Sequence, residues 1–520
     1  MLKLMRFSIT QERSKNTQLA INMIASVFAF AVSLGIKFFL APFVVKSLGV
    51  EAYGFVGLST DIISYTSIIT IALNSMAGRF ITIEYTKGNK EKASRYFSSV
   101  FYSNIILALV ILFLAVFFVI WLEYFFSVPN DLLFDVKILF SVLVVNNIIG
   151  LLSVTWGVST FIKNRVDLSS ICSCLGNVIQ ALMLILLFSF FIPHIWYIGV
   201  AACTVTLFTT SVNYGLSRRL TPELKLRRQL FDWALIKELI SSGIWNVLNK
   251  VGDVLGYGLN LLLANLFMGA TAMGVFALTK NIPIILLSLF QTIALVFAPM
   301  LTQLYAQNKK EEIAHELNKS IRILGFITTI PLSFLVVWGM DFYSLWLPTQ
   351  DARLLQLITV LGIFDYVVSM PIQPLWNIFT ITNKLKYSSI SLLISSVLII
   401  VIILISMFVS ESQTFRLCML AASAAIVSLI RSLLFLPQYG AYCLSLPRYI
   451  FYKPIFRIII CSIIAICLTW LLRFVWTADS WITLVVTALF TLGICCTISY
   501  FFILTKSDRV FIINKFLRKK

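Results

Sequence analysis

The sequence predicts an all-α integral membrane protein of about fourteen transmembrane helices, arranged as two pseudo-symmetric six-helix lobes with two further helices at the C-terminus. Three observations predict it. Of the 520 residues, 59% are hydrophobic and 12% charged, whereas soluble chains carry about 25% charged residues. The apolar residues gather into long stretches, most of them near the roughly 20 residues that cross a bilayer. The first half of the chain also matches the second at a constant offset of 220 residues. The same composition excludes a disordered chain, and 22 Gly and 9 Cys exclude a collagen-like or disulfide-rich one.

The apolar stretches are 18–46, 53–80, 97–122, 134–160, 169–191, 195–216, 241–267, 272–300, 320–340, 354–382, 387–409, 416–437, 454–475 and 481–505. Residues 1–16 are polar and basic, and the first stretch is long and lacks a small-residue cleavage site, so it reads as a retained span rather than a signal peptide. With the N-terminus inside, the inner segments hold 32 Lys/Arg and the outer segments five: Lys46, Lys137, Arg353, Arg416 and Arg473. Short inner loops enriched in Lys and Arg fix orientation, so both termini are placed on the cytoplasmic side. The net charge of +19 is thereby almost all topology.

The repeat is read from Gly49, Ala52 and Gly54, which align with Gly269, Ala272 and Gly274. Tyr85, Lys90 and Glu91 likewise align with Tyr305, Lys310 and Glu311. Six spans per copy is even, so the copies share one orientation. They are related by an axis along the membrane normal, as in transporters that rock two halves about a site. The expected division is an N-terminal lobe over 1–216, a cytoplasmic amphipathic linker over 217–240, a C-terminal lobe over 241–440, and two last helices with a basic tail over 441–520. In the linker, Leu224, Leu226, Leu230, Phe231 and Trp233 alternate with cations. That pattern suits either an amphipathic helix on the inner leaflet or a solvated basic loop.

Ionisable residues inside a membrane are costly and mark function. The candidates are Lys37, Asp61, Lys250, Asp253, Lys280 and Asp365, with Arg79 at an inner end and Arg431 placed to snorkel toward headgroups. Asn246, Lys250, Asp253, Tyr257 and Asn260 step by four, three, four and three, which puts them on one face of a continuous α-helix. Such a stripe lines a cavity rather than facing lipid. Lys250 and Asp253 either serve that cavity or neutralise each other. Lys37 and Lys280 have no acid within four residues and are the strongest candidates to bind an anion. Gly35 and Pro42 near Lys37, and Gly362, Pro371 and Pro374 near Asp365, are bend points. The two histidines, His194 and His315, are far apart, so the sequence offers no metal cluster or catalytic histidine system, and it has no phosphate loop. No enzymatic activity, cofactor or nucleic-acid binding is expected.

The stretch Pro42–Gly54, the segment Asn74–Phe80 and the basic run Glu84–Phe97 resemble bacterial polysaccharide flippases of the O-antigen (Wzx) type. These belong to the superfamily that also holds multidrug extruders and lipid II flippases. The resemblance covers about the first hundred residues by motif and the rest by layout. It implies a flippase of the bacterial plasma membrane that turns an undecaprenyl-diphosphate-linked oligosaccharide from the inner to the outer face, through a cationic cavity between two lobes. The oligosaccharide is an O-antigen, capsule or related unit. It further implies Lys37, Arg79, Lys250 and Lys280 for the diphosphate or acidic sugars, and Asp61, Asp253 and Asp365 for coupling or gating by H+ or Na+, if an ion is used. Membrane lipids, and a polysaccharide polymerase with chain-length proteins, are the implied partners. A cation-coupled drug antiporter of the same superfamily is the alternative. A membrane glycan polymerase is less favoured, because no outer loop is large enough for its chemistry.

Overall fold

The computed structural model describes residues 15–163, 165–505 and 509. Every long element is a helix, and no strand occurs among the described residues. In chain order the helices of seven residues or more are α1 Lys15–Thr86, α2 Lys90–Ile120, α3 Leu133–Ile162, α4 Val166–Phe190, α5 Trp196–Leu220, α6 Trp233–Asp253, α7 Asn260–Leu295 and α8 Ala298–Ala306. They continue as α9 Lys310–Trp346, α10 Ala352–Ile363, α11 Leu375–Ile381, α12 Leu385–Val409, α13 Gln413–Leu434, α14 Leu436–Leu444, α15 Tyr452–Leu472 and α16 Trp481–Phe502. Ten helical runs among the described residues are long and apolar enough to cross a membrane. They leave large apolar side chains uncovered: on α2, Leu109, Phe113 and Phe117 are 61%, 73% and 55% exposed. In water such a surface would aggregate, whereas in lipid it is solvated.

Four differences separate ten runs from fourteen apolar stretches: two mergers, one broken stretch, and 195–216, whose helix α5 is not among the ten. Two runs, Phe28–Thr86 and Trp233–Leu295, each hold two stretches. The first turns at Gly49 and the second at Gly269, with φ of 89° and 86°. Only glycine takes that conformation without strain. Pro42, expected to bend the first stretch, sits within α1, while the non-helical backbone falls at Gly49. The stretch 354–382 is broken where expected: α10 ends at Ile363, a four-residue turn follows at Tyr366–Ser369, and α11 begins only after Pro374.

The 220-residue repeat is visible in the backbone. Gly88 and Asn308, at that offset, both have positive φ (83° and 56°). The hydrogen bonds around them correspond one for one. Gly88 N bonds Tyr85 O and Asn308 N bonds Tyr305 O, Asn89 N bonds Glu84 O and Lys309 N bonds Leu304 O, and Lys90 N bonds Gly88 O as Lys310 N bonds Asn308 O. The turns at Gly49 and Gly269 go further and meet at equivalent positions. Thr271 donates its hydroxyl to Glu51, 220 residues away. A Cβ on Gly54 would lie 2.8 Å from the Cα of Gly274.

The chain divides into two compact units: Met1–Val251 with Leu261–Gly274, and Gly252–Asn260 with Val275–Lys520. In the first, α3 packs on α5, and α1 packs on α2, α3 and α4. The linker belongs to this unit and is not an amphipathic helix. Between α5 and α6 the chain is irregular apart from one 3-10 turn, Arg228–Leu230. Serines of α2 bind it: Ser98 donates to Lys225 O at 2.9 Å, while Ser94, Ser98 and Ser99 accept from the amides of Lys225, Arg227 and Asp232. Lys90–Glu223 and Arg95–Asp232 ion pairs flank the serines, at 2.9 and 2.7 Å. Pairing its amides with side chains gives the segment an alternative to the helical ladder. In the second unit α9 packs on α10, α15 and α16, and α12 packs on α13. The basic tail beyond Arg509 lies outside the described residues.

Candidate functional site

The polar residues within the helices fall into one group in each unit. In the second unit the group forms where helix periodicity breaks. After α6 the backbone runs as a π-helix over Val254–Gly258, closed by Leu259 N to Val254 O at 3.0 Å. A wide turn inserts a residue into the helical register. Gly252 makes the close approach possible: a Cβ there would sit 2.8 Å from Leu392 Cγ of α12, and Ser396 Oγ donates to Gly252 O at 2.7 Å. The expected stripe from Asn246 to Asn260 is therefore not one face. Tyr257 is 43% exposed, while Asn260 is 5% exposed with its Oδ1 unsatisfied.

Tyr257 lies beside Asp365, Ser428, Arg431 and Asp253. Asp365 is 3% exposed and stands in the gap between α10 and the turn Tyr366–Ser369. Its Oδ2 accepts hydroxyl bonds from Ser369 at 2.9 Å and from Ser428 of α13 at 2.7 Å. A buried carboxylate needs such donors to be tolerated. One turn further along α13, the Arg431 guanidinium stacks on Trp376 of α11, 5.2 Å from the ring centroid. Lys280 is half-buried in this unit and takes part in interactions of its own.

In the first unit, α1 carries Asp61, half-buried, in electrostatic contact with Tyr65 one turn on. Around them runs a network of neutral amides and hydroxyls. Asn74 and Asn104 form a reciprocal amide pair at 3.1 and 3.0 Å, and Asn104 also donates to Leu151 O. Asn147 donates to Thr66, and Asn246 of α6 to Ser75. Thr60, Ser64, Ser67, Asn146 and Asn147 line a cavity of about 430 Å³ among α1, α3 and α5. Arg79 is exposed on α1, and Lys250 is half-buried and makes no ion pair among the described residues. The side chain of Lys37 lies outside the described residues.

The structure thus brings Asp365, Tyr257 and Asp253 together and leaves Asp61 and Lys250 in the other unit. Sequence reasoning overlooked Ser428 and Asn104, and placed Arg431 at a lipid headgroup rather than against Trp376. The signal for Ser428 was present: it stands three residues before Arg431 and so shares its face.

Ten helical runs among the described residues long and apolar enough to cross a membrane, with polar groups buried between helices, define a multi-pass membrane protein. Solved structures agree on the fold. A lipid II flippase, MurJ, in an inward closed conformation superposes with a TM-score of 0.63 at 13% identity, over 92% of this chain and 99% of that one. A multidrug resistance MATE family transporter of the MOP superfamily, inward-facing, gives 0.61 at 14% identity, over 82% and 97%. The chain belongs to the polysaccharide biosynthesis protein family, whose model matches residues 43–342. It is also 28% identical over 502 residues, 96% of its own length and 98% of the relative's, to the uncharacterized membrane protein EpsK of Bacillus subtilis strain 168.

Proposed function

We propose that this chain is a flippase that turns an undecaprenyl-diphosphate-linked oligosaccharide from the inner to the outer face of a bacterial plasma membrane by alternating access, with both termini cytoplasmic. The observation that carries this reading is the family match over residues 43–342, which ties a transporter fold to polysaccharide assembly. The chemistry is compatible. A diphosphate bearing sugars cannot enter hydrocarbon without compensation for its charge. Lys250, half-buried and without an ion pair among the described residues, offers that compensation inside a span, and Lys37, Lys280 and Arg79 are proposed to share it. Asp365, with Asp253 and Asp61, is the proposed coupling or gating set, and a polymerase with chain-length proteins is the proposed downstream partner.

The test is surface glycan in a strain lacking the gene. Wild-type chain restores it, and Lys250→Ala restores much less at equal membrane abundance. Drug resistance conferred by the chain with no glycan phenotype would instead support an antiporter.

A further inference from the structure

Arg431 presents an unusual arrangement of donors. Its Nε and Nη2 are buried and have no hydrogen-bond partner. Guanidinium remains charged in any protein environment, and leaving such a group buried and unsatisfied is strongly unfavourable. Those two nitrogens form one edge of the plane, where the N–H bonds run parallel and match the two oxygens of a carboxylate or phosphate. The face is stacked on Trp376, 5.2 Å from the ring centroid, which restrains the plane and leaves that edge free. Neither nearby acid closes on it. Asp365 is bound by the hydroxyls of Ser369 and Ser428, and Asp253 is within electrostatic reach without bonding to either nitrogen.

We propose that Arg431, held on Trp376, is a bidentate binding site for an oxyanion in the second unit. The inference rests on the flippase reading only for the source of the ligand: an acidic sugar of the oligosaccharide or the phosphate of its lipid carrier. It adds to the lysines a cation whose geometry, and not only its charge, selects the ligand. A lysine carries the charge but lacks the fork.

The experiment uses purified full-length chain in nanodiscs of zwitterionic lipid, with glucuronate and farnesyl diphosphate as probes and glucose and farnesol as neutral controls. Wild type binds at least one anion and neither control. Arg431→Lys weakens that binding about tenfold or more, the scale of a lost charged hydrogen bond, and Trp376→Leu weakens it severalfold. Arg431→Met abolishes it without lowering Tm, because an apolar chain of similar length removes an unpaired buried charge. A loss confined to glucuronate assigns the sugar, a loss confined to the diphosphate assigns the carrier, and loss of both assigns the shared chemistry. Binding of neither anion by wild type, or equal binding by Arg431→Lys, overturns the proposal. The flippase reading fails separately: if deleting the gene leaves surface glycan intact while anion binding still depends on Arg431, the site stands and that reading falls.

Discussion

Replacing Gly274 by alanine perturbs the place where the two repeats meet. The added Cβ would stand 2.3 Å from the carbonyl oxygen of Val50 and 2.7 Å from its carbon. Ordinary contact begins near 3.4 Å, so the two turns must separate by about 1 Å. Both neighbours are backbone and cannot rotate away. Overpacking of this kind costs about 1–3 kcal/mol, and a separation that also breaks the Thr271–Glu51 bond adds about 1.5 kcal/mol or more, the scale of a hydrogen bond to a charged group. Units of this size lose about 2–4 °C in Tm per kcal/mol, so Gly274→Ala lowers Tm by several degrees. Gly78→Ala is the control: nothing lies within 4 Å of its Cβ, and alanine within a helix is worth about 0.5–1 kcal/mol over glycine. Thermal unfolding of detergent-purified protein followed by tryptophan fluorescence reads both. Equal Tm for the two variants would refute the close packing of Gly274 on the Val50 backbone.

Asn104→Ala removes both bonds of the amide pair and leaves Asn74 Oδ1 without its donor, while Asn74 Nδ2 keeps its bond to Thr70 O; an unsatisfied polar group costs about 1–3 kcal/mol, which a Tm shift measures, and Asn74→Ala in the same background adds little. Asp365→Leu leaves the Ser369 and Ser428 hydroxyls without their acceptor and abolishes surface glycan at normal membrane abundance, whereas Asp365→Asn keeps an acceptor and retains the fold. Glu223 is held at about 2 by the Lys90 ammonium that bonds it, with a smaller contribution from the Tyr85 hydroxyl. A depressed carboxyl contributes stability that is present above its ordinary value of 4.5 and is lost as pH falls toward 2. Protection of the Lys225 and Arg227 amides, taken relative to intrinsic exchange at each pH, therefore falls across that window, and in Glu223→Gln it is already low at pH 6.

The fold class was legible because lipid imposes one rule, internal satisfaction of backbone groups, and a chain of apolar stretches has few ways to meet it. The repeat was legible because its signature glycines and basic turn recur in register: Gly49 and Gly269 hold the same positive φ, and Lys90 and Lys310 begin corresponding helices. The polar stripe was misread because periodicity arguments assume 3.6 residues per turn, and the glycines at 252, 256 and 258 admit a π-turn between Asp253 and Asn260. The linker's apolar and basic residues left a helix and a loop both open, because the serines that bind it in irregular form lie about 130 residues earlier in the chain. The cluster at Asp365 was seen only in part. Ser428 and Arg431 reach it across helices, and one sequence carries no record of which helix faces are opposed.

Accessibility of the lipid-linked oligosaccharide to a non-permeant oxidant on intact spheroplasts separates a flippase from every other function of this fold. With the chain present the sugar is oxidised from outside. In a strain without it, the flippase reading requires that the same lipid accumulate and stay protected until the membrane is opened. Equal oxidation in the two strains would contradict it.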